Sequence, residues 1–306
     1  LIKVTRFVIP VLSVILVSTV LIAAFWPLIG LVRFLAGTTL VPAGFWTLGA
    51  AALWGLSWAL NHVTNAASTS IADHLWYASA VVALCPAISV LGSRRPGTRV
   101  WTWFILIPML GALGWPVITL WLQGSDVRGL QLETPQLVGY LLVIVMGAGN
   151  YLGTRYTLSS LLYIVSGSLL VLCTAAVCPD WLSDRWWARL AATACMAIAV
   201  ISAGWTRATD TKSRFDRLWL DFFNQFGIVW GRRIQDRVNF IAAKENWPAR
   251  LELHGLEWTA PADPATEARI EHTFRWLLRR FVDPDWIDRR LESTRTGEVA
   301  PLGADS

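Results

Sequence analysis

Charge is what this sequence has least of. Only 15% of its 306 residues are Asp, Glu, Lys or Arg, against about 25% in a typical soluble protein. Lysine occurs three times, as Lys3, Lys212 and Lys244. The four cysteines, Cys85, Cys173, Cys178 and Cys195, make no C-x-x-C pair and sit in apolar stretches. They read as small buried apolar residues, with Cys178 nearest a span boundary, and a disulfide scaffold is excluded. No catalytic or cofactor motif stands out. The run Gly147-Ala-Gly-Asn-Tyr-Leu-Gly153 lacks phosphate-loop spacing and lies inside an apolar stretch. Its Gly149-x-x-x-Gly153 reads as a helix-packing face.

What is there is apolar: 55% of residues are hydrophobic, in blocks long enough to cross a bilayer. A bilayer core takes about 20 apolar helical residues. The stretches 7–32, 41–60, 75–92, 101–122, 137–153, 157–178 and 187–205 qualify. The expected fold is therefore an all-α polytopic bundle of about seven spans (residues 1–206) with a mostly helical tail (residues 207–306). The first stretch follows Lys3 and Arg6 but is too long for a signal core, so it reads as a retained helix.

The net charge of +5 sits wholly in residues 1–206, while the tail balances to zero. No concentrated basic face for nucleic acid results. Lys and Arg near span ends set orientation. The tail's side carries Arg33, Arg94, Arg95, Arg99, Arg155, Arg207, Lys212, Arg214 and Arg217, against Lys3, Arg6, Arg128, Arg185 and Arg189 opposite. The expectation is an inner-membrane protein with a cytoplasmic tail and an external N-terminus.

Nineteen tryptophans are unusual. Trp26, Trp46, Trp58, Trp76, Trp101, Trp103, Trp121, Trp187 and Trp205 fall at expected span ends, where amphipathic indoles form an interfacial belt. Apart from Arg189, the expected spans hold no ionisable side chain, which counts against ion-coupled transport. A retinal protein is excluded, because no lysine lies in the last span.

In the tail, Phe215, Leu218, Phe222, Phe226, Val229, Val238 and Ile241 recur at helical spacing, with Trp219 and Trp230 widening the stripe. An amphipathic helix over 214–243 follows, weakened by Gly227 and Gly231. Its face needs cover from the membrane surface, the rest of the tail or a partner. Leu251–Trp258 reads as a small hairpin or an extended linker. Asp263-Pro264 starts a helix over 264–281, and Asp283-Pro284 starts a short last one to about Leu291. Residues 292–306 read as disordered.

Three candidate clusters emerge. Arg94, Arg95 and Arg99, followed by Trp101, form a basic turn suited to a lipid phosphate or an acidic partner. Phe222, Phe226 and Trp230 are candidate partner or lipid contacts. Asn61, His62, Asn65, Asp73 and His74 bracket an external loop, and His62, Asp73 and His74 are weak cofactor or metal candidates; an interfacial structural role is the expected one. Those histidines together with Trp181-Leu-Ser-Asp-Arg-Trp-Trp187 are loosely similar to haem-handling proteins of cytochrome c maturation. The run departs from that family's tryptophan motif, and membership is not implied.

The expected function is non-catalytic: an accessory, scaffold or assembly subunit. Its partners are membrane lipids and a protein bound through the tail, with no nucleic acid, no cofactor and no metal. The alternatives are a transporter or lipid flippase with an uncharged polar path, and an external-face haem or metal protein.

Overall fold

A computed structural model describes residues 28, 30–31, 34–63, 69–123, 130–176, 178, 180–182, 184–205, 213–261 and 263–292. Helices α1 (Val41–Val63) and α2 (Thr69–Leu91) pair closely. The single turn α3 (Thr98–Trp101) passes through a π-turn, Thr102–Leu106, into α4 (Ile107–Gln123). Pro108 follows that turn and has no N–H to give to the helical ladder, which is where a wider turn forms. Then come α5 (Thr134–Gly149), α6 (Thr157–Leu172) and α7 (Arg185–Trp205).

Among the described residues, four helical stretches are long and apolar enough to cross a membrane: Val41–Leu60, Ile71–Leu91, Thr102–Thr119 and Arg185–Trp205. Helices α5 and α6 are apolar but only 16 residues each, short of the usual span. The expected first span lies outside the described residues except for 28, 30 and 31, and so do Asn65 and most of 292–306.

The bundle interior departs from the belt reading at two of the tryptophans named for it. Trp58 and Trp76, read as belt residues, are buried with Trp54 in the core. Trp76 meets Trp54 and Trp58 edge-on, at centroid distances of 5.7 and 5.2 Å. Both Trp54 and Trp58 donate Nε1–H to Thr193 Oγ1, at 3.1 and 2.9 Å. An indole tolerates burial when its N–H finds an acceptor, and Thr193 on α7 supplies one for two rings. Trp103, Trp187 and Trp205 are exposed. Uncharged hydroxyls join the other helices: Ser57 to Ser79 at 2.7 Å, Tyr77 to the Leu113 carbonyl at 2.7 Å and Ser166 to the Ala192 carbonyl at 2.7 Å. Such bonds substitute for ion pairs in an apolar bundle.

The glycine reading also changes. Helix α5 ends at Gly149, which has open space where a Cβ would stand, and Gly153 lies in the following turn at φ +83°. Close helix packing occurs instead at Gly147 against Ala87 and Ile88, and at Gly167 against Ile144 and Tyr140.

The tail comprises α8 (Arg214–Lys244), a hairpin of β1 (Ala249–Glu252) and β2 (Gly255–Trp258), α9 (Pro264–Leu278) and α10 (Pro284–Glu292). The strands are antiparallel, with Ala249 opposite Trp258 and Glu252 opposite Gly255. Ser213 Oγ caps α8 at Phe215 N, and Asp263 Oδ1 caps α9 at Thr266 N, 2.8 Å away. Helix α8 is broken at Gly227 (φ 77°, ψ −177°). Around the break, Phe222, Phe226, Trp230 and Phe281 form one ring cluster with centroids 4.6–5.4 Å apart. Leu35, Leu40, Ala43 and Val90 from the bundle belong to this same buried core. These bundle residues thus extend the tail's core, while Trp54, Trp58 and Trp76 belong to a separate buried cluster.

Candidate functional site

The bundle has two chemically distinct ends. At the end away from the tail, α2 and α7 begin, and both oxygens of Asp73 are bound by guanidinium groups, Oδ1 by Arg189 and Oδ2 by Arg185. Asp73, His74 and Arg189 are all buried. Asp73 and His74 lie within α2, so the expectation that the spans hold no ionisable side chain apart from Arg189 does not hold. The physical reason is pairing: a buried carboxylate is tolerated where opposite charges and hydrogen bonds compensate it. Arg189 also lies over the Trp76 ring, 5.6 Å from its centroid. The sequence brought Asp73 forward as a candidate ligand; its oxygens are occupied by arginine. The His62 side chain lies outside the described structure. Among the described residues, no three His, Cys, Asp or Glu side chains gather in a metal-binding arrangement.

At the other end, three bundle loops hold the tail. The strongest hold is Asn150, in the turn between α5 and α6. Its side-chain Nδ2 donates to the Phe226 carbonyl (3.1 Å), its carbonyl accepts from Ile228 N (2.7 Å), and its Oδ1 accepts from Val229 N (2.9 Å). A broken helix leaves backbone groups without partners; one asparagine satisfies three of them. Gly227 makes this possible, because a Cβ there would stand 2.2 Å from Asn150 Nδ2. Next to it, Tyr151 donates to the Gln225 carbonyl (3.2 Å) and Arg155 N donates to Asn224 Oδ1 (3.0 Å).

The basic turn is the second hold. Arg95 N donates to the Arg280 carbonyl (2.9 Å), and its Nη2 pairs with Asp283 Oδ1 (2.6 Å). Arg94 is exposed, and the Arg99 side chain lies outside the described structure. Trp101 turns inward, covers Gly92 and donates to the Ile88 carbonyl (3.0 Å). The third hold is the loop before α1: Thr39 N donates to the Phe281 carbonyl (2.8 Å), and Asp283 N donates to the Gly37 carbonyl (2.7 Å).

The face carrying Phe222, Phe226 and Trp230 is thus covered from inside the chain. Phe222 and Phe226 have no exposed surface, and Trp230 donates to the Val90 carbonyl at 3.1 Å. As direct partner or lipid contacts these residues are corrected: they are core. The outer side of α8 is what faces outward, with Arg232, Arg233, Arg237, Phe240 and Lys244 exposed.

Sequence reasoning missed the feature with the clearest chemical shape. A cleft of about 600 Å³ lies between Leu28, Leu31, Phe34 and Leu35 ahead of α1, α1 itself, α2, the α5–α6 turn, α6, α7 and the first half of α8. Its walls are apolar or small along Ala43, Gly44, Val90, Met196, Ala199 and Ala203. Its tail-side end is polar, formed by Arg155, Tyr156, Asn224 and Gln225. The signal in the sequence was Arg155 itself, a cation inside the short turn between two apolar helices.

The chain matches no protein-family model, no curated protein and no solved structure.

Proposed function

We propose that this chain is a seven-span inner-membrane protein, with α5, α6 and the 7–32 stretch counted as spans, a cytoplasmic tail and an external N-terminus. In this reading it works without catalysis, as an accessory, scaffold or assembly subunit. The observation that carries the reading is the tail's attachment. Its core is continuous with the bundle, and backbone hydrogen bonds from three loops fix it in place. A module fixed this way is a rigid platform, and rigid presentation of a surface favours binding by lowering the ordering cost. The surface presented is the outer side of α8, where Arg232, Arg233 and Arg237 flank Phe240. Arginine beside an exposed aromatic is the composition of an interface centre rather than of an ordinary solvated face.

The transport alternative is less favoured. The cleft's deepest residues, Thr47 on α1 and Met196 on α7, stop one to two helical turns short of the Trp54–Trp58–Thr193 layer. Among the described residues, the indole rings and beyond them the Asp73 ion cluster stand between the cleft and the far end of the bundle.

Two measurements test the proposal. Reporter fusions after Trp205 and within residues 64–68 are expected to report opposite sides of the membrane; the same side for both overturns the topology. Affinity purification of the intact protein is expected to recover a defined partner that an Arg233→Glu, Arg237→Glu variant loses. Equal recovery by that variant removes the outer α8 face from the function.

A further inference from the structure

We infer that the cleft beside α6 is a binding site for one anionic phospholipid, its phosphate held by Arg155 and one acyl chain laid along the apolar walls. The inference rests on the membrane embedding proposed above and is independent of the scaffold role.

The polar end of the cleft is an incomplete ion site. Arg155 donates from Nη2 to the Tyr156 hydroxyl (2.6 Å), and its guanidinium stacks against that ring, 4.8 Å from the centroid. Its Nε–H is buried and meets no acceptor. Among the described residues no carboxylate pairs with it, whereas Arg185 and Arg189 at the bundle's opposite end both pair with Asp73. Beside it Gln225 is 6% exposed, lines the cleft, and has a buried Oε1 with no donor. A guanidinium fork without a counter-ion is built to take a phosphate. Tyr156 accepts from Arg155, which leaves its own O–H to donate to the same anion.

The rest of the cleft argues for a lipid over a free anion. Tyr156, Ser159, Ser160 and Tyr163 follow one face of α6 away from Arg155, and Met196, Ala199 and Ala203 follow one face of α7. Both series have the three- and four-residue steps of a single helix side. They form a channel parallel to the helices, in the direction an acyl chain takes in a bilayer. Ser159 and Ser160 present little polarity to it, because they are bonded to Ser202 (2.8 Å) and to the Ala148 carbonyl (2.5 Å). At about 600 Å³ the cleft lies within the range of ordinary ligand sites. It has the two-part character of an amphiphile: one charged end, one apolar length. Arg155 stands at the tail-side end of α6, the level of a head group in the leaflet on that side.

The test uses the full chain purified in a mild detergent and read by native mass spectrometry, with phosphatidylglycerol, phosphatidylcholine and inorganic phosphate as probes. One phosphatidylglycerol per chain is expected to survive purification or to rebind on addition, with phosphatidylcholine at least about tenfold weaker. Arg155→Gln is expected to weaken phosphatidylglycerol by at least about tenfold, as loss of a charge-assisted contact does. Because Arg155 also supports the tail junction, Ala203→Phe serves as a second variant. It fills the apolar channel and leaves Arg155 in place, and it too is expected to lose the lipid. Equal retention of the two phospholipids, or retention unchanged in both variants, overturns the inference. Displacement of the lipid by millimolar phosphate alone reduces the site to an anion site and also overturns it. If the chain fails to fractionate with membranes, the embedding and the inference fall together; fractionation without retained lipid defeats the inference alone.

Discussion

The two ends of the helical bundle solve the same problem with opposite chemistry. Away from the tail, α2 and α7 are joined by a buried carboxylate between two arginines, backed by three packed indoles. Toward the tail, helices are joined to a second layer of protein through backbone hydrogen bonds, and the charged contacts there are exposed. Ion closure tolerates little loss, because removing one partner leaves a charge in an apolar interior. Backbone closure depends on geometry instead, above all on Asn150 fitting into the break at Gly227. The first end should therefore respond to changes of charge and the second to changes of shape.

The largest effect is expected at Asp73. Asp73→Ala removes the counter-ion of buried Arg189 and should cost about 3–5 kcal/mol, the usual penalty for halving a buried pair. Thermal unfolding in detergent measures it. A double Asp73→Leu, Arg189→Leu variant is expected to recover much of that loss, since the buried Arg189 charge is then gone and only the more exposed Arg185 is left without its carboxylate. If the double variant is as unstable as the single one, the far end is held by shape rather than by charge and the contrast fails.

Gly227→Ala is the matching test at the tail end. The residue adopts φ 77°, and its new Cβ would stand 2.2 Å from Asn150 Nδ2 and 2.5 Å from the Asn150 carbonyl oxygen. The first neighbour is a side-chain amide held by its bond to the Phe226 carbonyl and the second is backbone, so neither gives way cheaply. The strain of such a backbone is about 1–3 kcal/mol, and relieving it means displacing Asn150. Hydrogen exchange at the Ile228 and Val229 amides should rise sharply, while the Asp73 end keeps its protection. Unchanged exchange at those two amides would show that Asn150 does not hold the tail.

These two sites also show how far the sequence could be read. Blocks of apolar residues announce a helical membrane-type bundle, and the Asp263-Pro264 pair announces a helix start, because each is a local property. The break in α8 is half legible. Two glycines weaken the helix on propensity alone, but nothing local says that Asn150, 77 positions earlier, will fill the gap. The role of Asp73 is hidden for the same reason: it reads as a loop residue and candidate ligand until Arg185 and Arg189, more than 100 positions away, are seen to pair with it. The Phe222–Phe226 face is legible as a buried stripe, yet its cover is the tail's own Phe281 and the bundle's Val90. Periodicity identifies a face and leaves its partner open. The cleft lies furthest from reach, being a property of many segments at once.

A smaller effect sharpens the claim that charge matters little at the tail end. Arg95 and Asp283 pair at 2.6 Å, but both side chains are nearly half exposed. Exposed pairs contribute about 0–1 kcal/mol, and the bond from Arg95 N to the Arg280 carbonyl does not involve the side chain. Arg95→Gln should therefore leave the melting temperature and the tail's exchange pattern almost unchanged, at low salt as well as high. A loss comparable to that of Gly227→Ala would move ion pairing to the centre of the tail junction.

The smallest effect concerns Asp216, inside the tail's own fold. Burial raises its carboxyl above the ordinary value of 3.8, against the opposing hydrogen bond from Leu256 N, which reaches Oδ1 at 2.7 Å. The approach is that close because Gly255 has no Cβ, which would stand 2.3 Å from the same oxygen. With the folded value above the unfolded one, the folded state takes up the proton first as pH falls. The group's contribution is thus unfavourable at neutral pH and is relieved as the carboxyl becomes protonated in the acid range. An asparagine amide oxygen still accepts from Leu256 N and carries no charge to desolvate. Asp216→Asn is expected to melt slightly higher than the parent protein at pH 7, with the difference shrinking toward zero near pH 4. A variant that melts lower at every pH would mean that Leu256 N requires a charged acceptor. Charge would then matter inside the tail as it does at the far end of the bundle, and the division between charge-held and shape-held regions would not extend to the tail.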